Sequence, residues 1–243
     1  MNAMIFAAGL GTRLKPLTDK KPKALVEIEG CPLLEIAIKK LIKFGIKHII
    51  INVFHFADQI IDFIESKNFS EAEILISDER NQLLDTGGGL LKAKDLFIKH
   101  SPIITYNVDI LCDINLDDLV KFHNEQKNFV TMFVQNREAS RYLIFDDHNR
   151  LCGWQNPKTG EEIWSTIPQK ASKLGYNGIQ IVDYEIFSHI NKSGAFSIIP
   201  FYIELAAKKK ICGWLNDDVK WFDIGTLEKI SNAVEFLNDK IIK

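Results

Sequence analysis

Along the first half of the chain, apolar runs of strand length alternate with segments whose apolar residues recur at helical spacing. The runs that predict strands are Met4–Ala8, His48–Val53, Ala72–Ser77, Pro102–Asn107 and Phe129–Val134. The segments that predict helices are Leu33–Phe44, Ala57–Ser66, Gly88–Lys99 and Leu116–Gln126. This alternation predicts an α/β protein with a mostly parallel sheet and helices on both faces. Ligands bind such sheets in the loops at the carboxyl ends of the strands.

After residue 135 the pattern changes. Tyr142–Phe145 and Leu151–Trp154 enclose a polar turn and predict a β-hairpin, and a charged, turn-rich stretch follows through Ser172. The later predicted elements are a strand over Gly175–Val182 and helices over Ile199–Lys208 and Thr226–Asp239. No linker-like segment divides the chain, so we expect one domain over residues 1–243. Within it we expect a main part (residues 1–135) and a smaller lobe (residues 136–243).

The composition is that of an ordinary soluble enzyme, with 46% hydrophobic and 26% charged residues. A net charge of −2 gives no overall attraction to nucleic acid or to a membrane surface. The apolar runs are too short to span a membrane, and no signal peptide precedes the first predicted strand. The 4 cysteines are scattered without a C-x-x-C pair, which favours reduced thiols and a cytoplasmic location.

A glycine-rich turn follows the first predicted strand and carries the strongest chemical signal in the chain. The turn is Gly9-Leu10-Gly11-Thr12, and the cationic residues after it include Arg13, Lys15, Lys21 and Lys23. Glycine has no Cβ, so backbone N–H groups in such a turn can approach an anion closely. Amides and cations together predict a cradle for a polyphosphate.

Two common glycine motifs do not fit this turn. The dinucleotide-binding motif needs a third glycine where this chain has Leu14, and Pro16 and Pro22 interrupt the helix that should follow. The P-loop motif, G-x-x-x-x-G-K-[ST], does not occur in the sequence. The turn therefore calls for a third kind of phosphate-binding motif.

Residues Ala7–Leu25 match the string A-A-G-x-G-T-R-x-x-P-x-T…P-K-x-L at each defined position. In this string the chain resembles the sugar-1-phosphate nucleotidyltransferases, and the resemblance extends from Met4 through Trp221–Thr226. It implies the nucleotide-diphospho-sugar transferase fold, which has a Rossmann-like sheet and a small sugar-binding lobe. It also implies that Arg13 and Lys23 are catalytic. The residues implied to contact a nucleoside triphosphate in this turn are Ala8, Gly9, Gly11, Thr12, Arg13 and Lys23.

Two aspartates are candidate metal ligands. Asn107-Val108-Asp109 ends a predicted strand, where a carboxylate can hold a divalent cation against phosphate oxygens. In the family, one aspartate lies in a G-D element and another in W-x-D-I-G-T, and together they bind Mg²⁺. Asp109 and Asp223 match these positions, although Val108 replaces the usual glycine. The resemblance therefore implies Mg²⁺ as cofactor, held by Asp109 and Asp223.

A second glycine run, Asp85-Thr86-Gly87-Gly88-Gly89, leads into a predicted helix. Three glycines there would let a flat ring approach the backbone, and helix-end amides offer hydrogen bonds. A flexible loop or a helix cap is the alternative. In the family the corresponding loop contacts the nucleobase and ribose. The residues implied to do so here are Glu79, Thr86, Gly87 and Gly88.

The sugar side carries partial matches. Tyr176-Asn177-Gly178-Ile179 resembles the N-G-I element of the family, and it implies sugar contacts from Asn107, Asn177 and Gly178. Many members also carry E-K-P, whose lysine grips the sugar phosphate. This chain has Gln155-Asn156-Pro157-Lys158 instead, so that lysine is displaced to Lys158 or absent.

The implied reaction needs few protein groups. A sugar 1-phosphate has a second pKa of about 6, so it is largely dianionic at neutral pH and needs no general base. Its oxygen would attack the α-phosphorus of a nucleoside triphosphate in line and expel pyrophosphate. The absence of a nucleophilic triad and of zinc-ligand spacing in the sequence agrees with this chemistry.

Within the family, the Asp85–Gly89 run, the compact length and Trp221–Leu227 are most similar to enzymes that join UTP to N-acetylmuramate 1-phosphate. Mannose- or heptose-1-phosphate guanylyltransferases are the close alternative. Those often carry a C-terminal repeat domain, which we do not expect here because the sequence stops soon after its last predicted helix. Two rivals come from other classes: a GT-A-like glycosyltransferase, which would lack the Gly9–Lys23 turn, and a non-catalytic nucleotide-sugar sensor.

Overall fold

The computed structural model describes residues 1–226, 228–231 and 233–234. Its strands are β1 (Asn2–Phe6), β2 (Glu27–Ile28), β3 (Cys31–Pro32), β4 (His48–Val53), β5 (Glu73–Asp78), β6 (Ile103–Asn107), β7 (Ile110–Cys112), β8 (Val130–Gln135), β9 (Tyr142–Phe145), β10 (Leu151–Asn156), β11 (Glu161–Trp164), β12 (Ser172–Val182), β13 (Ile211–Leu215) and β14 (Trp221–Asp223). Its helices are α1 (Leu33–Lys43), α2 (Ala57–Lys67), α3 (Asp85–Lys92), α4 (Leu116–Glu125), α5 (Ile186–His189) and α6 (Ile198–Ala206). Short 3-10 turns cover Thr12–Leu14, Lys23–Leu25 and Ala93–Leu96.

A 10-stranded sheet runs through the molecule in the order β11-β10-β9-β12-β6-β1-β4-β5, with β8 paired to β12 and β13 paired to β8. β6, β1, β4 and β5 run parallel to one another. β12 is antiparallel to β6, β8 and β9, so the sheet is mixed. The carboxyl ends of the parallel strands meet at one edge, where the loops after β1, β5 and β6 carry the predicted nucleotide and metal residues. The predicted α/β fold is confirmed.

Both faces of the sheet are buried. Along β4, Ile49 and Ile51 belong to one apolar core, and Ile50 belongs to a second core on the opposite face. α1 packs into the first core and α6 packs into the second. Because successive strand residues point to opposite faces, a strand covered on both sides needs an uninterrupted apolar run. The isoleucine run of β4 meets that need, and helices on both faces are confirmed.

The five predicted strands of the first half correspond to β1, β4, β5, β6 and β8, with ends shifted by no more than two residues. The helices α1, α2 and α4 are also confirmed. The predicted helix Gly88–Lys99 is wrong in its bounds, because α3 begins at Asp85 and a 3-10 turn follows Lys92. The glycine run therefore lies inside the first turns of α3 and does not precede the helix.

In the second half, β9 and β10 form the predicted hairpin. The turn-rich stretch also contains β11, whose two glutamates and position at the sheet edge hid it from an apolar pattern. β12 begins at Ser172, three residues before the predicted strand, and its first residues pair with β9. These strands thus continue the main sheet, and the expected smaller lobe shares that sheet with the nucleotide-binding part.

Near the C-terminus, α6 confirms the predicted helix Ile199–Lys208, whereas β13 and β14 were not predicted as strands. The predicted helix Thr226–Asp239 lies partly outside the described residues. Within this segment, the described residues 228–231 and 233–234 are helical. β14 pairs with β7 in a separate two-stranded sheet. In the described part of the chain, no helix is long and apolar enough to cross a membrane.

Candidate active site

The glycine-rich turn begins where β1 leaves the sheet and is held in place by hydrogen bonds with two side chains. The Ala7 N–H donates to Asn52 Oδ1 at 2.8 Å, and the Thr18 hydroxyl donates to the carbonyl of Gly11 at 2.9 Å. Gly11 has a φ of 65°, and a Cβ on it would lie 2.9 Å from Thr18 and 3.0 Å from Lys23. A glycine is therefore required at this position by both its backbone and its neighbours.

Lys23 forms the most buried ion pair of the turn. Its side chain is 11% exposed, and its ammonium group is paired with the carboxylate of Asp109, whose side chain is 20% exposed. Lys15 and Lys21 pair with carboxylates near them in sequence and lie farther out, Lys15 with Asp19 and Lys21 with Glu27. Lys23 is thus more buried than Lys15 and Lys21.

The pairing of β7 with β14 brings the two predicted metal ligands together. Asp223 lies opposite Ile110 in this ladder, and the Ile224 N–H donates to the carbonyl of Asp109 at 2.8 Å. Asp223 Oδ2 accepts from Lys229 at 2.8 Å, while Asp223 Oδ1 is buried without a hydrogen-bond partner among the described residues. An unpartnered buried carboxylate oxygen is costly, and a bound cation would satisfy it.

These carboxylates fit Mg²⁺ better than they fit a metal held by protein groups alone. Among the described residues, no group of three or more histidine, cysteine, aspartate and glutamate side chains could hold a metal ion. Mg²⁺ typically takes one or two carboxylates and completes its octahedron with water and substrate phosphates. Asp109 and Asp223 supply that number of carboxylates next to the predicted phosphate cradle.

Arg13 lies beside the same pair of elements. A Cβ on Gly225 would lie 2.8 Å from Asp223 Oδ1 and 3.0 Å from a terminal nitrogen of Arg13. The absence of a side chain at Gly225 therefore lets the guanidinium group and the carboxylate approach the same stretch of backbone. Arg13 is an exposed residue of the turn.

A cavity of about 490 Å³ lies at the carboxyl ends of β1 and β6. Its wall contains three of the predicted elements: the start of the glycine-rich turn, the loop before α3, and the loop after β6. The predicted residues in this wall are Ala8, Gly9, Lys23, Glu79, Thr86, Asn107 and Asp109. A larger cavity of about 650 Å³ lies between α1 and the segment 111–117, and it shares no lining residue with the first.

The sequence did not predict the role of Asn52, at the carboxyl end of β4. Its side-chain amide donates to Glu79 Oε1 at 2.8 Å, and Glu79 Oε2 accepts the Leu84 N–H at 3.1 Å. Glu79 is fully buried, and burial raises the pKa of its carboxyl group against the opposing effect of these hydrogen bonds. Asn52 and Glu79 thus tie the loop after β1 to the loop before α3. Both carboxylate oxygens of Glu79 accept hydrogen bonds from within the protein, so Glu79 supports the loop before α3.

The structure gives the glycine run of α3 a packing role. The N–H groups of Gly87 and Gly88 donate to the carbonyl of Phe196 at 2.9 and 3.2 Å. A Cβ on Gly87 would lie 2.2 Å from the Phe196 ring, and one on Gly88 would lie 2.3 Å from the Gly194 carbonyl oxygen. These glycines face the segment before α6 instead of the cavity, which corrects the expectation that a flat ring approaches them. Thr86 remains in the cavity wall.

Replacing Gly87 with alanine is expected to lower the free energy of unfolding by about 1–3 kcal/mol, because the added methyl group overpacks against Phe196. This cost outweighs the roughly 1 kcal/mol by which alanine favours a helix over glycine. Urea unfolding followed by circular dichroism measures the change. Gly9→Ala is the matched control, since nothing lies within 4 Å of its added Cβ. Equal stability of the two variants would contradict the packing role.

On the sugar side, the structure places Gly178 against Asn107. Gly178 has a φ of 77°, and a Cβ there would lie 3.0 Å from Asn107 Nδ2. Asn177 is fully buried, and its Oδ1 accepts a hydrogen bond from Arg137 Nε at 2.7 Å. Burial lowers the pKa of Arg137, and the charge of Asp223 opposes that shift. Arg137 was not predicted, because nothing in its local sequence shows its distant partners.

Lys158, the residue that the displaced E-K-P element left in question, lies in the exposed turn between β10 and β11. Its backbone N–H donates to Asn156 Oδ1 at 3.1 Å, which fixes the turn. β9 separates the β10–β11 hairpin from β12, the strand that carries Asn177. The structure therefore does not bring Lys158 together with the other predicted sugar residues.

Comparison with known proteins agrees with this arrangement. Residues 2–150 match the model of the family described as Nucleotidyl transferase. N-acetylmuramate alpha-1-phosphate uridylyltransferase of Caulobacter vibrioides is 30% identical to this chain over 233 residues, which cover 92% of this chain and 91% of that protein. Mannose-1-phosphate guanyltransferase beta-B of Xenopus laevis is 34% identical over 152 residues, covering 59% of this chain and 41% of that protein.

Solved structures show the same fold. The UDP-glucose pyrophosphorylase from Acinetobacter baumanii superposes with a TM-score of 0.80 at 16% identity, covering 100% of this chain and 94% of the other. The protein is thus an enzyme of the nucleotidyltransferase class. Within that class, the chain belongs to the sugar-1-phosphate nucleotidyltransferase family.

Proposed function

We propose that this enzyme joins UTP to N-acetylmuramate 1-phosphate and releases pyrophosphate. The observation that carries the reaction is the cavity whose wall unites the glycine-rich turn, the loop before α3 and the loop after β6. The similarity to the Caulobacter uridylyltransferase supports the choice of substrates, because it spans nearly the whole of both chains. The similarity to the mannose-1-phosphate enzyme covers 59% of this chain.

The cradle would bind the triphosphate at two places. Arg13 and the amides of residues 9–12 would neutralise the β- and γ-phosphates, which leave as pyrophosphate. Lys23 would lie at the α-phosphate, because its pairing with Asp109 fixes the ammonium group at the wall of the cavity. Electrostatic stabilisation by groups that are already in place is the main contribution a protein can make to this kind of transfer.

The chemical step is a displacement at phosphorus. An oxygen of the sugar 1-phosphate dianion forms a new bond to the α-phosphorus, and the bond from that phosphorus to the bridging oxygen of the β-phosphate breaks. The electron pair of the broken bond leaves on pyrophosphate, so no proton has to move in the step. The two anionic reactants repel each other, and the cations around the cavity offset that repulsion.

Asp109 and Asp223 would hold Mg²⁺, which supplies Lewis-acid stabilisation of charge on the phosphate oxygens. The buried, unpartnered Asp223 Oδ1 is the structural observation that favours this role. Lys23 pairs with Asp109 and Lys229 pairs with Asp223. Both lysines would remain beside these carboxylates when the cation is bound. Asp109 and Asp223 would act together because the β7–β14 ladder fixes their separation.

The base would enter between the glycine-rich turn and the start of α3, where Leu83 of the preceding loop and Asp85 and Thr86 of the helix form part of the cavity wall. Asn52 and Glu79 hold this loop in one conformation. A rigid loop built around one base edge leaves buried polar groups unpaired when another base enters, and this is a strong source of selectivity.

We also propose that residues 136–243 form the sugar-binding part of the enzyme. The 4 free cysteines favour a location in the cytoplasm.

A substrate panel tests the proposal. Pyrophosphate release is measured with UTP and GTP, each combined with the 1-phosphates of N-acetylmuramate, mannose and a heptose. We expect kcat/KM to be highest for UTP with N-acetylmuramate 1-phosphate, by roughly tenfold or more over each other pair. A preference for GTP with mannose 1-phosphate would make the runner-up correct and leave the mechanism unchanged. If no pair released pyrophosphate, the proposed function would be wrong.

A further inference from the structure

Arg137 follows β8 and is fixed on several sides. Its Nε donates to Asn177 Oδ1 and one terminal nitrogen donates to the Tyr176 carbonyl, both at 2.7 Å. The other terminal nitrogen donates to the Glu138 carbonyl at 3.1 Å. The guanidinium carbon lies 3.9 Å from the centre of the Trp221 ring, which is a close cation–π contact. Four neighbours thus set the plane and the direction of this charge.

These contacts leave donors available. Arginine has five N–H groups, and the three bonds to protein in the described part of the chain use one from each nitrogen. One N–H therefore remains on each terminal nitrogen. Two such groups in a rigid fork match two oxygens of a phosphate, which a lysine cannot reproduce.

The surroundings are shaped for this guanidinium group. A Cβ on Gly175 would lie 2.9 Å from the guanidinium carbon and 3.1 Å from Nε of Arg137, so glycine leaves space for it. Asn177 is fully buried, and its Oδ1 has to face Arg137 because only an oxygen can accept from Nε. Its Nδ2 is consequently buried without a partner in the part of the chain that the structure describes. A buried amide nitrogen without a partner lowers the stability of the fold, so it needs an explanation. The orientation of Arg137 by Asn177 Oδ1 provides that explanation.

Arg137 does not line the cavity itself, but its hydrogen-bond partner Asn177 precedes Gly178, which packs against the cavity residue Asn107. β12 pairs with β6 so that Ile179 lies opposite Tyr106, which sets Gly178 beside Asn107. Asn107 lines the cavity together with Asp109. On the other side, the indole N–H of Trp221 donates to the Asn177 carbonyl at 2.9 Å, and Trp221 begins the strand that carries Asp223.

We propose that Arg137 binds the phosphate of the sugar 1-phosphate, and that Asn177 and Trp221 are positioning residues for its guanidinium group. This rests on the proposed function, since it names the group that receives the second substrate. Arg137 then supplies the cation for the sugar phosphate. The exposed Lys158 cannot take this role, because β9 separates its hairpin from β12. Asn177, implied by the motif to touch the sugar, acts through Arg137.

The test separates the two substrates. For Arg137→Gln and Arg137→Lys we expect the KM for N-acetylmuramate 1-phosphate to rise by roughly tenfold to a hundredfold, which is the range for a lost hydrogen bond to a charged group. The Kd for UTP, measured by calorimetry with the sugar phosphate left out, should stay within about threefold of the wild type. Gly175→Ala should raise the same KM to a smaller extent, because it displaces the guanidinium group without removing it.

Lys158→Ala is the matched control, and its KM values should equal those of the wild type. If Arg137→Gln did not fold, Gly175→Ala and Arg137→Lys would still decide the question. A parallel loss of affinity for UTP and the sugar phosphate, or no change in either, would show that Arg137 only braces the fold. An inactive wild type across the substrate panel would instead overturn the proposed function, and this proposal with it.

Discussion

Asp109→Asn and Asp223→Asn are each expected to lower kcat by roughly a hundredfold or more, because each removes charge stabilisation at the reacting phosphates. Asparagine keeps the shape of the side chain, so both proteins should fold. Asp109 and Asp223 are joined through the β7–β14 ladder, and Asp223 Oδ1 is buried without a partner in residues 1–226, 228–231 and 233–234. Their loss should therefore affect catalysis far more than stability. Pyrophosphate release with and without EDTA measures the effect.

The control for these variants is Asp62→Asn, which changes an exposed aspartate of α2 and should leave kcat unchanged. EDTA should abolish the activity of the wild type, and added Mg²⁺ should restore it. Near-full activity in EDTA, or in both aspartate variants, would show that these carboxylates do not form a metal site.

Lys23→Met should lower kcat by about tenfold to a hundredfold, since it removes a fixed cation from the wall of the cavity. Methionine retains much of the buried stem of the lysine, so the packing of the turn is largely kept. Single-turnover kinetics at saturating substrate separate a slower chemical step from weaker binding.

Lys21→Met is the matched control, because Lys21 comes from the same turn and pairs only with Glu27, two half-exposed side chains at 3.4 Å. A pair of this kind contributes little to stability, and its loss should be nearly neutral. If Lys21→Met proved the more damaging change, the alignment of this turn with the P-K element of the family would be wrong.

The strands and the phosphate turn could be predicted because their signals are local. The unbroken isoleucines of β4 indicate burial on both faces, and the Gly9–Lys23 turn predicts an anion site before any fold is known. The G-D and W-x-D-I-G-T elements of the family then predicted that Asp109 and Asp223 form one metal site, which no pattern of burial or periodicity could have predicted. Elements at the sheet edge, such as β11, were missed because charged residues interrupt their apolar pattern.

Tertiary structure alone decided which polar residues meet. Asn52 joins two loops through Glu79, and the glycines of α3 serve the packing of Phe196. Arg137 contacts Trp221, a residue far along the chain, because the end of β8 lies near the start of β14. Sequence determined the periodicity and the local motif, since these depend on neighbours along the chain. Strand order and register determined the partners of Asn52, Arg137 and Gly87, because these contacts exist only once the sheet has formed.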